Sequence, residues 1–293
     1  MIIIYSLLIL KMPKLLYLFS LLIYFCFFIT DLLIRQNSLK TNTLHFIFYR
    51  TTVTILFTLF WVFISGDYLN SPTLNQIGYV ALLSGITAFG IIGFTEANKH
   101  MAFANILSVN IIGIIFQQFI AFFVLNEVIS ITFIISFVLS VIGLAIHSNL
   151  PSNRKGLFWA LISSLSWSLG YSLLSVPLKK IEASWGSLIM ESTILLFSFI
   201  LIKSLSKNKE IAIKKENYSM GILAIGLLTT IGALMVTYTY KNFKVGNIGL
   251  LNIWMFPISI IAARYVFSEK ISTKEWVGNA FIIAGVFYFI FTK

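Results

Sequence analysis

The chain is 293 residues long, 58% hydrophobic and only 11% charged, with a mean hydropathy of +0.94. Soluble domains stand near 45–50% apolar and about 25% charged, so a water-coated globular surface is excluded and lipid must solvate much of the exterior. The formal net charge of +11 is scattered over short loops, with no basic helix or RNA-binding motif, and points to anionic headgroups rather than nucleic acid.

In chain order, residues 1–13 read as an N-terminal extension, apolar over Met1–Leu10 but too short to span a bilayer, with Met12 as an alternative start. Ten apolar stretches of about 20 residues then read as membrane helices: 14–34, 44–65, 74–97, 103–125, 131–148, 155–177, 184–204, 218–240, 246–267 and 274–292. The separators are short and polar, such as Gly66–Pro72 and Ser148–Asn153, and none holds a soluble domain. Cys26 is the only cysteine, which rules out a disulfide frame and a cysteine-based metal site. His45, His100 and His147 lack metalloprotease spacing, the carboxylates do not cluster, and no phosphate-binding loop occurs. No catalytic residue, metal or cofactor is therefore expected.

An internal repeat runs beneath the spans. A shift of 142 residues pairs Thr87 with Thr229, Gly90 with Gly232, Lys99 with Lys241, Asn110 with Asn252, Glu127 with Glu269 and Gly143 with Gly285. Matches at Lys, Asn, Glu and Gly in one register are informative in so apolar a chain. The expected fold is thus an all-α integral membrane protein of two five-helix repeats, residues 14–148 and 149–293. Five crossings per copy is an odd number, so the second copy starts on the opposite side and lies inverted. Inverted repeats place a site at their interface near the membrane midplane.

The copies end alike. Phe256-Pro257 lies mid-span and is followed by Ser268-Glu269-Lys270-Ile271-Ser272, Trp276-Val277-Gly278 and Ile283-Ala284-Gly285-Val286; Asn126-Glu127-Val128-Ile129-Ser130 and Ile142-Gly143-Leu144 echo this in the first copy. On these residues the sequence resembles the EamA type of the drug/metabolite transporter superfamily over about 12–293. The departures are Ile115 where the repeat partner is Pro257, and the missing counterpart of Gly278. The resemblance implies a secondary transporter of a small, amino-acid-like or similar polar metabolite in the cytoplasmic membrane of a prokaryote. A membrane scaffold or sensor, and then an intramembrane enzyme, are the alternatives. The resemblance also implies cytoplasmic termini. Loop cations count the other way, seven on the N-terminal side against twelve, five of them between Lys203 and Lys215.

Ionisable groups inside spans are costly and mark candidate sites. Arg50 in the second span and Glu191 in the seventh stand 141 residues apart, so the repeat can bring them together as a pair or as two clamps for a zwitterion. Asn110, Asn252, Gln117 and Trp254 are further solute-binding candidates, because polar groups at this depth must face protein or a cavity. Trp167, Tyr171 and Tyr238 are expected as aromatic walls. Asp31 and Arg35, four residues apart, read as a local ion pair on one helix face. Pro257 should kink the ninth span, Glu127 and Glu269 should tie helix ends together, and Gly90 and Gly232 should permit close helix contacts.

Overall fold

Each expected span coincides with helix. The structure is a computed structural model that describes residues 13–38, 42–147, 153–205, 219–253, 255–268 and 272–292. Met12, Trp254 and Glu269 lie outside the described residues. Among the described residues the α-helices are α1 (Pro13–Ser38), α2 (Thr43–Ser65), α3 (Leu74–His100), α4 (Phe103–Phe119), α5 (Ile131–His147), α6 (Arg154–Leu178), α7 (Ala183–Leu205), α8 (Met220–Asn242), α9 (Val245–Asn252), α10 (Met255–Phe267) and α11 (Thr273–Thr292). A π-helical turn, Ile120–Val124, extends α4. The ninth span is made of α9 and α10 together.

Among the described residues, seven spans are long and apolar enough to cross a membrane: α2, α3, α4 with its π turn, α6, α7, α8, and α9 with α10. The 23 residues of α2 rise about 35 Å, against about 30 Å of hydrocarbon. Ile131–Gly143 in α5 and Trp276–Thr292 in α11 are shorter apolar helices. Large apolar side chains such as Leu56, Phe60, Phe63 and Ile64 of α2 face outward, as a lipid-solvated exterior requires. The protein is a multi-pass membrane protein.

Local chemistry sets the helix ends. Asn42 accepts from Leu44 N at 3.0 Å before α2, and Thr73 and Gln76 form a reciprocal capping box on α3. Gly66, at φ 80°, closes α2 in the left-handed conformation that glycine adopts freely. Contacts between turns then sort the helix ends onto two faces. On the first, Ser184 Oγ at the start of α7 donates to Asp67 after α2 at 2.5 Å. Gln76 donates there to the Lys180 carbonyl at 3.3 Å. On the second, Arg35 at the end of α1 donates to the Met101 carbonyl at 2.9 Å. Asn153, before α6, donates there to the His100 carbonyl at 2.7 Å.

Helix pairings recur under the 142-residue shift. α3 lies along α6 as α8 lies along α1, α2 meets α8 as α7 meets α3, and α2 pairs with α7 and α5 with α11. The α5–α11 crossing shows the relation atom by atom. A Cβ on Gly143 would stand 2.5 Å from the Gly278 carbonyl, and one on Gly285 would stand 2.7 Å from the carbonyl of Ser136, which lies 142 residues before Gly278. Asn126 and Ser268, also 142 apart, both take left-handed backbone, at φ 53° and 56°, and each closes a span.

The two spans differ where their sequences differ. α9 stops at Asn252 and α10 resumes at Met255, with Pro257 in its first turn. Continuous helix would drive the Pro257 ring into the Ile253 carbonyl four residues back, and proline has no N–H to offer it. That carbonyl instead accepts from Phe256 N at 3.0 Å. At Ile115, the counterpart of Pro257, α4 runs on unbroken, and its irregularity is the later π turn.

Candidate functional site

Arg50 is the eighth residue of α2, about 12 Å of helix rise from its start, and Glu191 is equally deep in α7. Neither reaches a membrane surface, since each residue is 3% exposed. Arg50 Nη2 donates to Glu191 Oε2 at 3.3 Å and to Thr51 Oγ1 at 3.2 Å. The two form one buried ion pair rather than two separate clamps. Arg50 Nε has no hydrogen-bond partner among the described residues, so the guanidinium keeps donor capacity in reserve.

The pair forms part of the wall of a cavity of about 190 Å³ between helices of both halves. Asn110 and Gln117 of α4, Trp167 and Tyr171 of α6, and Asn252 at the end of α9 line the same space. Gln117 Nε2 donates to Tyr240 Oη at 3.0 Å and to the Val245 carbonyl at 3.2 Å. Tyr171 and Tyr240 stack with ring centroids 5.5 Å apart and planes at 14°. Ser164 receives the Gly113 N–H at 2.8 Å and donates to the Val109 carbonyl at 3.2 Å, standing in the α4 hydrogen-bond ladder. Asn110 Oδ1 and Thr229 Oγ1 have no partner among the described residues. Buried polar atoms are normally satisfied, so unpartnered atoms in one cavity wall leave hydrogen-bonding capacity open there.

The aromatic wall of α8 is Tyr240, not Tyr238. Two residues on a helix differ by about 200° in direction, and Tyr238 is absent from the cavity lining. Asp31 also lines the cavity. The expected ion pair with Arg35 does not form: the Arg35 guanidinium reaches Met101 and Asn98 and lies 5.0 Å over the Phe267 ring. The i, i+4 spacing placed both on one face, but carbonyls at the end of α3 offer Arg35 better acceptors. The signal that marks Asp31 is an acidic residue inside a span.

Other expected residues act on the frame. The Glu127 carboxylate accepts from Val245 N at 2.7 Å and Gly246 N at 2.9 Å, capping the N-terminus of α9 with an anion where the helix dipole favours one. A Cβ on Gly90 would stand 2.2 Å from Trp167 Cδ1, and one on Gly232 would stand 2.8 Å from Phe27 Cε1. Both glycines thus make room for an aromatic ring of the neighbouring helix.

Residues 154–291 match the EamA-like transporter family. A comparison with curated proteins returns no match. Solved structures share the fold, among them a crystal structure of a protein with a TM-score of 0.66 at 14% identity, over 94% of this chain and 96% of that one. At that identity the likeness speaks for the fold alone.

Proposed function

We propose that the chain, whose residues 154–291 match the EamA-like transporter family, is a secondary transporter that moves a small, polar, amino-acid-like solute across the cytoplasmic membrane of a prokaryote by alternating access. The observation that carries this reading is the cavity between the two halves, where Arg50 Nε, Asn110 Oδ1 and Thr229 Oγ1 stand without partners among the described residues beside a buried ion pair. Its aromatic side, Trp167 with the stacked Tyr171 and Tyr240, suits an apolar body, and its amides and hydroxyls suit polar groups.

The recurrence of helix pairings and of the Asn126 and Ser268 turns under one register supports two inverted five-helix halves. Halves so related can rock about a fixed central site and expose it to each face in turn. Arg50 and Glu191 hold the two halves together at that site and orient the solute. A scaffold has no use for partnerless polar atoms around a cavity, and the cavity weighs against that reading.

The test is untargeted metabolite profiling of cells expressing the wild type or Arg50→Ala, with membrane levels matched. A metabolite displaced only by the wild type names the solute and ties Arg50 to its passage. Equal displacement by both proteins keeps transport and removes Arg50 from the site. Indistinguishable profiles for wild type and empty cells, across the amino-acid-like solutes, sink the proposal.

A further inference from the structure

Charge in the cavity is unevenly matched. Arg50 and Glu191 neutralise each other at 3.3 Å. Asp31 is the other acidic residue in the wall, and it has neither hydrogen bond nor ion pair among the described residues. Its nearest cation in sequence, Arg35, is engaged with Met101, Asn98 and Phe267. Thr30, beside it in the wall, turns its hydroxyl back onto the Cys26 carbonyl at 3.0 Å and so gives the carboxylate no proton. With its carboxylates ionised the cavity carries one uncompensated negative charge, at a depth where unpaired charge is expensive.

On the transport reading above, we propose that Asp31 is the ammonium-binding residue of the cavity, and that the solute carries a protonated primary or secondary amine on a flat apolar body. An ammonium supplies the missing countercharge and donates the hydrogen bonds that an acceptor-only carboxylate lacks. Tyr171 and Tyr240 line the same cavity as a stacked pair, and aromatic faces attract a desolvated cation. The unused Arg50 Nε remains for an acceptor group on the same solute.

The experiment measures binding to purified protein in lipid nanodiscs through the fluorescence of the cavity's Trp167, with Trp167→Phe as the blank. The probes are a panel of small primary amines with aromatic or branched bodies, each matched to the alcohol of the same skeleton. Wild type should bind the best amines about tenfold to a hundredfold more tightly than their alcohols, the span of a charge-assisted hydrogen bond. That ratio should fall to near one in Asp31→Asn and persist in Asp31→Glu. A ratio that survives Asp31→Asn overturns the assignment. So does a wild-type ratio near one across the panel, the result expected of an Asp31 that stays protonated, and this arm needs no variant to fold. Counterflow of the best amine in proteoliposomes separates the two readings. Amine-selective binding without flux leaves the ammonium site standing and sinks transport, whereas flux of alcohols and amines alike keeps transport and sinks the ammonium site.

Discussion

Arg50 and Glu191 are worth more to each other than either is to the fold. Removing one partner of a buried pair leaves the other charge uncompensated and costs about 3–5 kcal/mol, whereas replacing both by apolar groups is often close to neutral. Glu191→Gln and Arg50→Met should therefore each lower the thermal midpoint of the purified protein, and Arg50→Met combined with Glu191→Leu should recover most of the loss. Additive losses would show that the two do not act as a pair. This pair was legible in the sequence because two ionisable residues in apolar spans, one repeat length apart, have few other means of neutralisation. Asp31 was not, because its spacing from Arg35 is compatible with a local pair, and only the packing of α3 against α1 reveals where the Arg35 guanidinium goes. Nor could Tyr240 be told from Tyr238. A helix that is apolar all round carries no polar face to show which side looks inward.

The broken span, α9 with α10, is where a helix-level property meets the cavity, for Asn252 at the end of α9 lines it. Pro257 was readable as a kink, but the sequence did not show that the chain would part into two helices a turn ahead of it. Pro257→Ala restores an N–H that can bond the Ile253 carbonyl and removes the ring that blocks it. The variant should raise the thermal midpoint by fusing the helices and slow flux of the solute identified by profiling. A Pro257→Ala protein that is less stable and equally active would show that the break is set by tertiary packing instead. Glu127 illustrates the opposite case. Its place before a helix suggested a tie between helix ends, yet nothing in the sequence named Val245 and Gly246, 118 and 119 residues away, as its partners.

Across the whole molecule, the apolar stretches made the helices readable, while the register held by Lys, Asn, Glu and Gly through several spans is the ground for the proposed two-half arrangement. Among the described residues, polar ties between the halves on the first face are Ser184 to Asp67, Gln76 to Lys180 and Glu127 to α9. Rocking of the halves, as proposed, must part these ties. In a Cys26→Ser background, a disulfide between Asp67→Cys and Ser184→Cys should stop flux in proteoliposomes and release it on reduction, and unimpeded flux through the oxidised protein would mean that this face need not open. One further consequence lies in the break between α9 and α10, which α4 does not share. Two identical halves would make the forms open to either face degenerate in energy. On the transport proposal, a break confined to one half lifts that degeneracy, so the unloaded protein should favour the form open to one compartment. Apparent affinity scales with the fraction of molecules in the competent form, and a solute therefore meets a tighter carrier from one side than from the other. Net flow still follows the gradients, because the same bias is gained and lost once in every full cycle.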